Sequence, residues 1–203
     1  MGYIFAVITA YLMGSSNMAY YLSKMKQVDI RKNGSGNLGA SNATVLFGWG
    51  AGVIVAVHEI GKAFLAVLLA KHFFPDLEFV GAAAGVACVL GHIFPFYLQF
   101  RGGKGLASFV GMLAALDWRV ALAAALLVIV VTLVTDYIAL GTISASVAGP
   151  VGMWIVGSGL WIVLILSVAT VIMIFKHQDN LQRIRNKEEI GLLSTVKGEN
   201  RVK

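Results

Sequence analysis

Residues 91–105, GHIFPFYLQFRGGKG, place His92, Arg101 and Lys104 among Gly102, Gly103 and Gly105 in a chain otherwise dominated by Ala, Val, Leu and Ile. Glycine lets a backbone approach a ligand closely. An apolar helical pattern opens at residues 106–108. A helix N-terminus favours negative charge, and Lys104 adds a full positive charge beside it. Pro95 predicts a break or kink with His92 one turn earlier. The spacing does not match the GxxxxGK[ST] phosphate loop. A basic topological anchor would explain Arg101 and Lys104, but not three glycines and a histidine. A phosphate-type site is therefore the favoured reading.

Two other polar clusters could serve the same chemistry. The segment VDIRKNGSGNLGASNATVLFG holds Asn33, Gly34, Ser35, Gly36, Asn37, Gly39, Ser41 and Asn42, a backbone free to adopt positive φ with short side-chain donors. Running into a helix, it can aim N–H groups at an anion, although an ordinary turn fits equally well. In KHQDNLQRIRNKEE, a continuing helix would put His177, Asn180 and Arg183 on one face at i, i+3 and i+6. A solvated helix drawn to anionic lipid is the alternative there.

The elements that must carry these clusters are membrane spans. The 203 residues are 58% hydrophobic and 13% charged, with mean hydropathy +0.81, where a soluble domain carries about 25% charged residues. Apolar runs at 3–22, 46–70, 79–98, 120–135, 138–156 and 159–175 predict spanning helices. The shorter run 105–116 predicts a half-helix lining a protein-walled site, for seven segments in all. With no Lys or Arg before Lys24, the first run is expected to be a retained span and not a signal peptide.

Thirteen of the 16 basic residues fall on one side: Lys24, Lys26, Arg31, Lys32, Arg101, Lys104 and seven after the last run, among them Lys197, Arg201 and Lys203. Lys71 and Arg119 lie on the other side and Lys62 within a span. The positive-inside rule puts the thirteen in the cytoplasm, with the N-terminus outside, the C-terminus inside and all three clusters on the cytoplasmic side. The basic residues form no single face, which argues against a nucleic-acid partner. One cysteine, Cys88, excludes a disulfide framework and a cysteine metal site. No metal site is expected from the four histidines either. The division expected is a membrane-embedded domain over 1–185 and a polar tail over 186–203.

On these residues the chain resembles the bacterial acyl-phosphate:glycerol-3-phosphate acyltransferase family. That family's SGNxGxxN motif stands here at Ser35, Gly36, Asn37, Gly39 and Asn42. Its GHxFPxxxxF[KR]GGKG motif is complete over 91–105, and its HxxNxxR motif is His177, Asn180 and Arg183, followed by Glu189. The resemblance implies an all-α, seven-span protein of the bacterial cytoplasmic membrane with its site facing the cytoplasm. It implies acyl transfer from acyl phosphate to the 1-hydroxyl of glycerol 3-phosphate, giving lysophosphatidic acid, with neither metal nor coenzyme A as cofactor. Lys104 and the backbone of residues 102–105 would hold phosphate. Ser35, Gly36, Asn37, Gly39, Asn42, Arg101, Thr142 and Arg183 would bind substrate. His92, His177 and Asn180 would orient the substrates, and with no catalytic triad evident, a substrate phosphate is one candidate to take the proton.

The chain departs from the family's pattern at several places. Val45 and Asp136 stand where arginines are usual, Ala139 and Thr142 where serines are, Lys187 where a glycine is, and Ser16-Asn17 where Ile-Pro is. Two lost phosphate-binding cations keep open a paralogue with another acceptor or little activity. His58, Glu59 and Lys62 lie mid-span. Intramembrane charges raise the alternative of a small transporter, but Glu59 and Lys62 at i, i+3 are expected to be a bundle-facing structural pair.

Overall fold

The computed structural model describes residues 1–192. Lys197, Arg201, Lys203 and most of the expected 186–203 tail lie outside the described residues. Two compact units divide at Leu116/Asp117.

The first unit, Met1–Leu116, holds α1 (Gly2–Ser15), α2 (Met18–Met25), α3 (Ala40–Phe47), α4 (Trp49–Phe73), α5 (Val80–Ile93), a 3-10 turn (Phe96–Leu98) and α6 (Leu106–Leu116). The apolar run 3–22, expected as one span, is broken after Ser15. Asn17 is the cause: its side chain accepts from Tyr20 N at 2.9 Å and so caps a new helix. The break leaves carbonyls at Gly14 and Ser16 without helical partners. Helix α4, at 25 residues about 37 Å long, supplies them through Lys62 Nζ, which donates to Gly14 O at 2.7 Å and Ser16 O at 2.5 Å.

Glycine contacts set the packing of this unit. A methyl group at Gly14 would overlap the Cys88 carbonyl, and one at Gly91 the Tyr11 carbonyl, so α1 and α5 touch backbone to backbone. Gly111 of α6 lies in the same way against Ile60 of α4. Helix α3 is carved from the end of the polar segment after the first run. Gly48, at φ 87, turns the chain from α3 into α4.

The second unit, from Asp117, holds α7 (Trp118–Thr135), α8 (Ile138–Ile155), α9 (Leu160–Lys176) and α10 (Gln178–Arg185). Asp117 caps α7 by accepting from Arg119 N at 2.9 Å, and it pairs with the Arg119 guanidinium at 2.7 Å. The hydrogen bond from that side chain draws the Asp117 carboxyl down to about 2. Pro150 inside α8 has no N–H to give the carbonyl four residues back. That carbonyl, Ser146 O, instead accepts from Thr170 Oγ1 of α9 at 2.6 Å. One interhelical hydrogen bond thus repairs the ladder and ties α8 to α9.

Among the described residues, four helical segments are long and apolar enough to cross a membrane: α4, Val80–Leu98, α7 and α8. Joining α9 to α10 across their 44° bend makes a fifth, and α6 is a shorter apolar helix. On α7, Leu122, Leu126, Ile129, Val130, Leu133 and Val134 are all exposed, as a lipid-facing surface requires.

Candidate active site

The chain reverses sharply after α5. Pro95 O accepts from Leu98 N at 3.0 Å and Phe100 N at 3.1 Å, and Gln99 and Phe100 both take left-handed backbone, φ 56 and 58. The extended Gly102–Gly103 segment then docks on the end of α5. Gly102 N donates to Ile93 O at 3.0 Å and Gly103 N to His92 O at 3.1 Å. Glycine is required for this approach. A methyl at Gly102 would overlap the His92 carbonyl, and one at Gly103 would overlap the His92 ring and lie 2.8 Å from Leu38 O. The amides of Gly102 and Gly103, two of the residues expected to hold phosphate, thus donate to α5 carbonyls. Lys104 follows half-buried, then Gly105 at φ 95 and the N-terminus of α6, while Arg101 is exposed.

The first polar loop is organised by Asn42, which is buried. Its amide nitrogen donates to Ile30 O, Asn33 O and Asn37 O at 3.1–3.2 Å, and its oxygen accepts from Ser35 N at 3.0 Å. Asn42 therefore shapes the loop that presents exposed Ser35 and half-buried Asn37 and Gly39, with Gly34 and Gly36 at positive φ. The loop's Leu38 carbonyl accepts from Asn17 Nδ2 at 3.2 Å. It borders Gly103, so the first two motifs meet along a seam of Leu38 O, Gly103 and the His92 ring.

Behind this seam lies a buried ionic network that the sequence had shown only as a local pair. Glu59 is 1% exposed and sits on α4 one turn from Lys62, with which it forms an ion pair. Glu59 Oε2 also meets His92 Nδ1 at 2.5 Å and accepts from Ser108 Oγ at 3.4 Å, while Oε1 meets His58 Nδ1 at 3.3 Å. One carboxylate thus joins α4 to the end of α5 and the first turn of α6. Lys62 joins the same network to the α1–α2 break. A charge this deep is tolerated only when paired and hydrogen-bonded.

In the second unit the helix does not continue straight through His177. Helix α9 ends at Lys176, and α10 leaves at 44° with His177 at the junction. His177 Nδ1 donates to Met173 O at 2.7 Å, since a carbonyl only accepts. Asn180 Nδ2 and Arg183 Nε both donate to Glu189, at 2.5 and 2.6 Å. The acidic residue after the third motif therefore fixes two of its members. Thr142 is buried, and its hydroxyl donates back to Ile138 O at 2.8 Å.

The departures also find places. Lys187 sits at φ 61 and Asp136 at φ 68, left-handed positions that suit glycine and tolerate aspartate respectively. Val45 is half exposed on α3 and Ala139 is buried. No group of three or more His, Cys, Asp or Glu able to hold a metal occurs among the described residues.

Residues 4–187 match the glycerol-3-phosphate acyltransferase family. The chain is similar to glycerol-3-phosphate acyltransferase 1 of Oceanobacillus iheyensis, 36% identical over 96% of this chain and 97% of that protein. Among solved structures it is similar to PlsY (YgiH), an integral membrane glycerol 3-phosphate acyltransferase, in its glycerol 3-phosphate form. The TM-score is 0.90 at 32% identity, covering 96% of this chain and 98% of that one. The lysophosphatidic acid form of PlsY is similar too, with TM-score 0.86 over 94% of this chain and 95% of that one.

Proposed function

This chain belongs to the glycerol-3-phosphate acyltransferase family, and we propose that it transfers a fatty acyl group from acyl phosphate to the 1-hydroxyl of glycerol 3-phosphate. The products are lysophosphatidic acid and inorganic phosphate. The protein crosses the bacterial cytoplasmic membrane in seven segments, with α6 as the short one, its N-terminus outside and its site facing the cytoplasm. The basic asymmetry of the loops supports that orientation.

The observation that carries the reading is the seam in the first unit. Two Gly-rich motifs more than fifty residues apart meet at Leu38 O, Gly103 and His92, and Lys104 and the α6 N-terminus follow directly. Lys104 holds a substrate phosphate as a point charge, assisted by the amide end of α6. Ser35, Gly36, Asn37 and Gly39 contribute donors from the loop that Asn42 shapes, and Arg101 adds charge. In the second unit, His177 and Asn180 keep the orienting role, and Thr142 and Arg183 the substrate-binding role, that the resemblance implies.

The test is purified protein supplied with acyl phosphate and glycerol 3-phosphate, following phosphate release and lysophosphatidic acid together. Equal appearance of both is expected, with loss of both in a folded Lys104→Ala variant. Phosphate release without lysophosphatidic acid would overturn the acceptor assignment, and full activity of Lys104→Ala would remove its phosphate role.

A further inference from the structure

Helix α10 ends in a left-handed turn whose turning residue is Lys187, at φ 61. Lys187 N donates to Ile184 O at 3.0 Å and Glu188 N to Arg183 O at 2.8 Å, the paired bonds of a Schellman cap. Glycine suits that position best, and a lysine there costs stability. A cation near a helix C-terminus is favourable, but α10 already carries Arg183 and Arg185 in its last turn. The cap reverses the chain, so that Glu189 closes on Asn180 and Arg183 and Leu192 N reaches Asp136 O at 2.9 Å. Residues 187–192 thus strap the third motif to the α7–α8 turn, all within the second unit.

The charges along this strap are unequally engaged. Arg183 Nε meets Glu189 Oε2 at 2.6 Å, so its positive charge is matched by a carboxylate. Asp136 puts a negative charge on the turn where the family pattern has arginine. Arg185 lies about 200° round α10 from Arg183, off the face that Arg183 shares with Asn180. Lys187 is exposed, and among the described residues no carboxylate pairs with it. We infer that Lys187 is a ligand for a substrate phosphate, bringing to the second unit the positive charge that Asp136 does not supply. This deepens the acyl-transfer reading above and rests on it. An ammonium on a four-carbon stem meets a phosphate oxygen as a point charge, with no geometry to hold in the free enzyme. The strained cap is then the means by which that stem starts beside Asn180, Arg183 and Glu189.

Three substitutions separate charge from backbone. Lys187→Gln removes the charge in the same backbone, Lys187→Gly removes charge and strain together, and Lys187→Arg keeps the charge. Direct binding of glycerol 3-phosphate to purified protein and KM for acyl phosphate are measured for each. One of the two should weaken about three- to tenfold in Lys187→Gln and Lys187→Gly, with Lys187→Arg close to wild type. The substrate affected is the one whose phosphate Lys187 meets. The loss should shrink at about 0.5 M salt, as a screened charge requires and a structural defect does not. Lys187→Gly should melt no lower than wild type, so its weaker binding cannot come from unfolding. Unchanged binding and KM in both uncharged variants would overturn the inference. Equal weakening by Arg185→Gln would overturn it too, assigning the effect to the general field of α10. A wild type that binds glycerol 3-phosphate yet makes no lysophosphatidic acid would sink the acyl-transfer reading and leave the Lys187 comparison standing.

Discussion

Lys62→Met removes the cation that joins the α1–α2 break to the Glu59 network. Three contacts disappear together: the ion pair with Glu59 and the donations to Gly14 O and Ser16 O. Interhelical hydrogen bonds in membranes average only about 0.6 kcal/mol. The larger effect is on Glu59, which at 1% exposure becomes an uncompensated buried charge, a loss of roughly 3–5 kcal/mol. At about 2–4 °C per kcal/mol for a chain of this size, the melting temperature should drop by roughly 10 °C in detergent. Combining Lys62→Met with Glu59→Gln removes that charge while keeping an acceptor for His92, so the double variant should regain at least half the loss. Thermal unfolding of the wild type, both single variants and the double variant gives the coupling energy directly. A single variant as stable as wild type, or a double variant no better than Lys62→Met, would refute the assignment of Lys62 as the clamp on the break.

Gly103→Ala should destabilise by about 1–3 kcal/mol through overpacking against the His92 ring and Leu38 O, and lose activity beyond what its stability explains. Both are read by melting and acyl-transfer assays, and unchanged activity would mean that the seam is not at the reaction centre. Cysteines introduced at exposed Asp76 and Glu188 should respectively react with and resist an impermeant thiol reagent in intact cells, against a low background from buried Cys88; the reverse pattern inverts the topology. Restoring Val45→Arg, Asp136→Arg and Ala139→Ser should raise use of glycerol 3-phosphate about tenfold if these departures weaken phosphate binding. Arginine in the left-handed backbone at 136 costs about 1 kcal/mol of stability. A wild type that already matches a typical family member on glycerol 3-phosphate, with no gain in the restored variant, would dismiss an altered acceptor.

What was legible in the sequence is what short-range pattern encodes. Continuous apolar runs marked α4, α7 and α8, Pro95 marked the end of α5, and the glycines marked the opening of α6. The break at Ser16-Asn17 was hidden because Asn17 acts as a cap only once α2 turns away from α1. A signal was present in the polar quartet Gly14, Ser15, Ser16 and Asn17 inside an apolar run. Glu59 and Lys62 announced their own pairing by i, i+3 spacing. Their link to His92 spans about thirty residues, and no local periodicity records it. For the same reason the need for glycine at 102 and 103 was visible, but not the α5 carbonyls that their amides find. Glu189 was noticed as an acidic residue after the third motif, yet its grip on Asn180 and Arg183 depends on a chain reversal through Lys187.

The dependence of the α1–α2 break on Lys62 also sets an order of assembly at the ribosome. Gly14 and Ser16 lie 48 and 46 residues ahead of the lysine that satisfies them. At synthesis rates of about 5–20 residues per second, those carbonyls emerge roughly 2–10 s before their donor exists. During that interval the first apolar segment is a discontinuous helix whose polar middle only water, or the insertion machinery, can satisfy. Its settled position in the lipid must therefore await α4, which arrives with Glu59 and Lys62 as a ready-made neutral pair, so that the beginning of the chain is finished by a part made later.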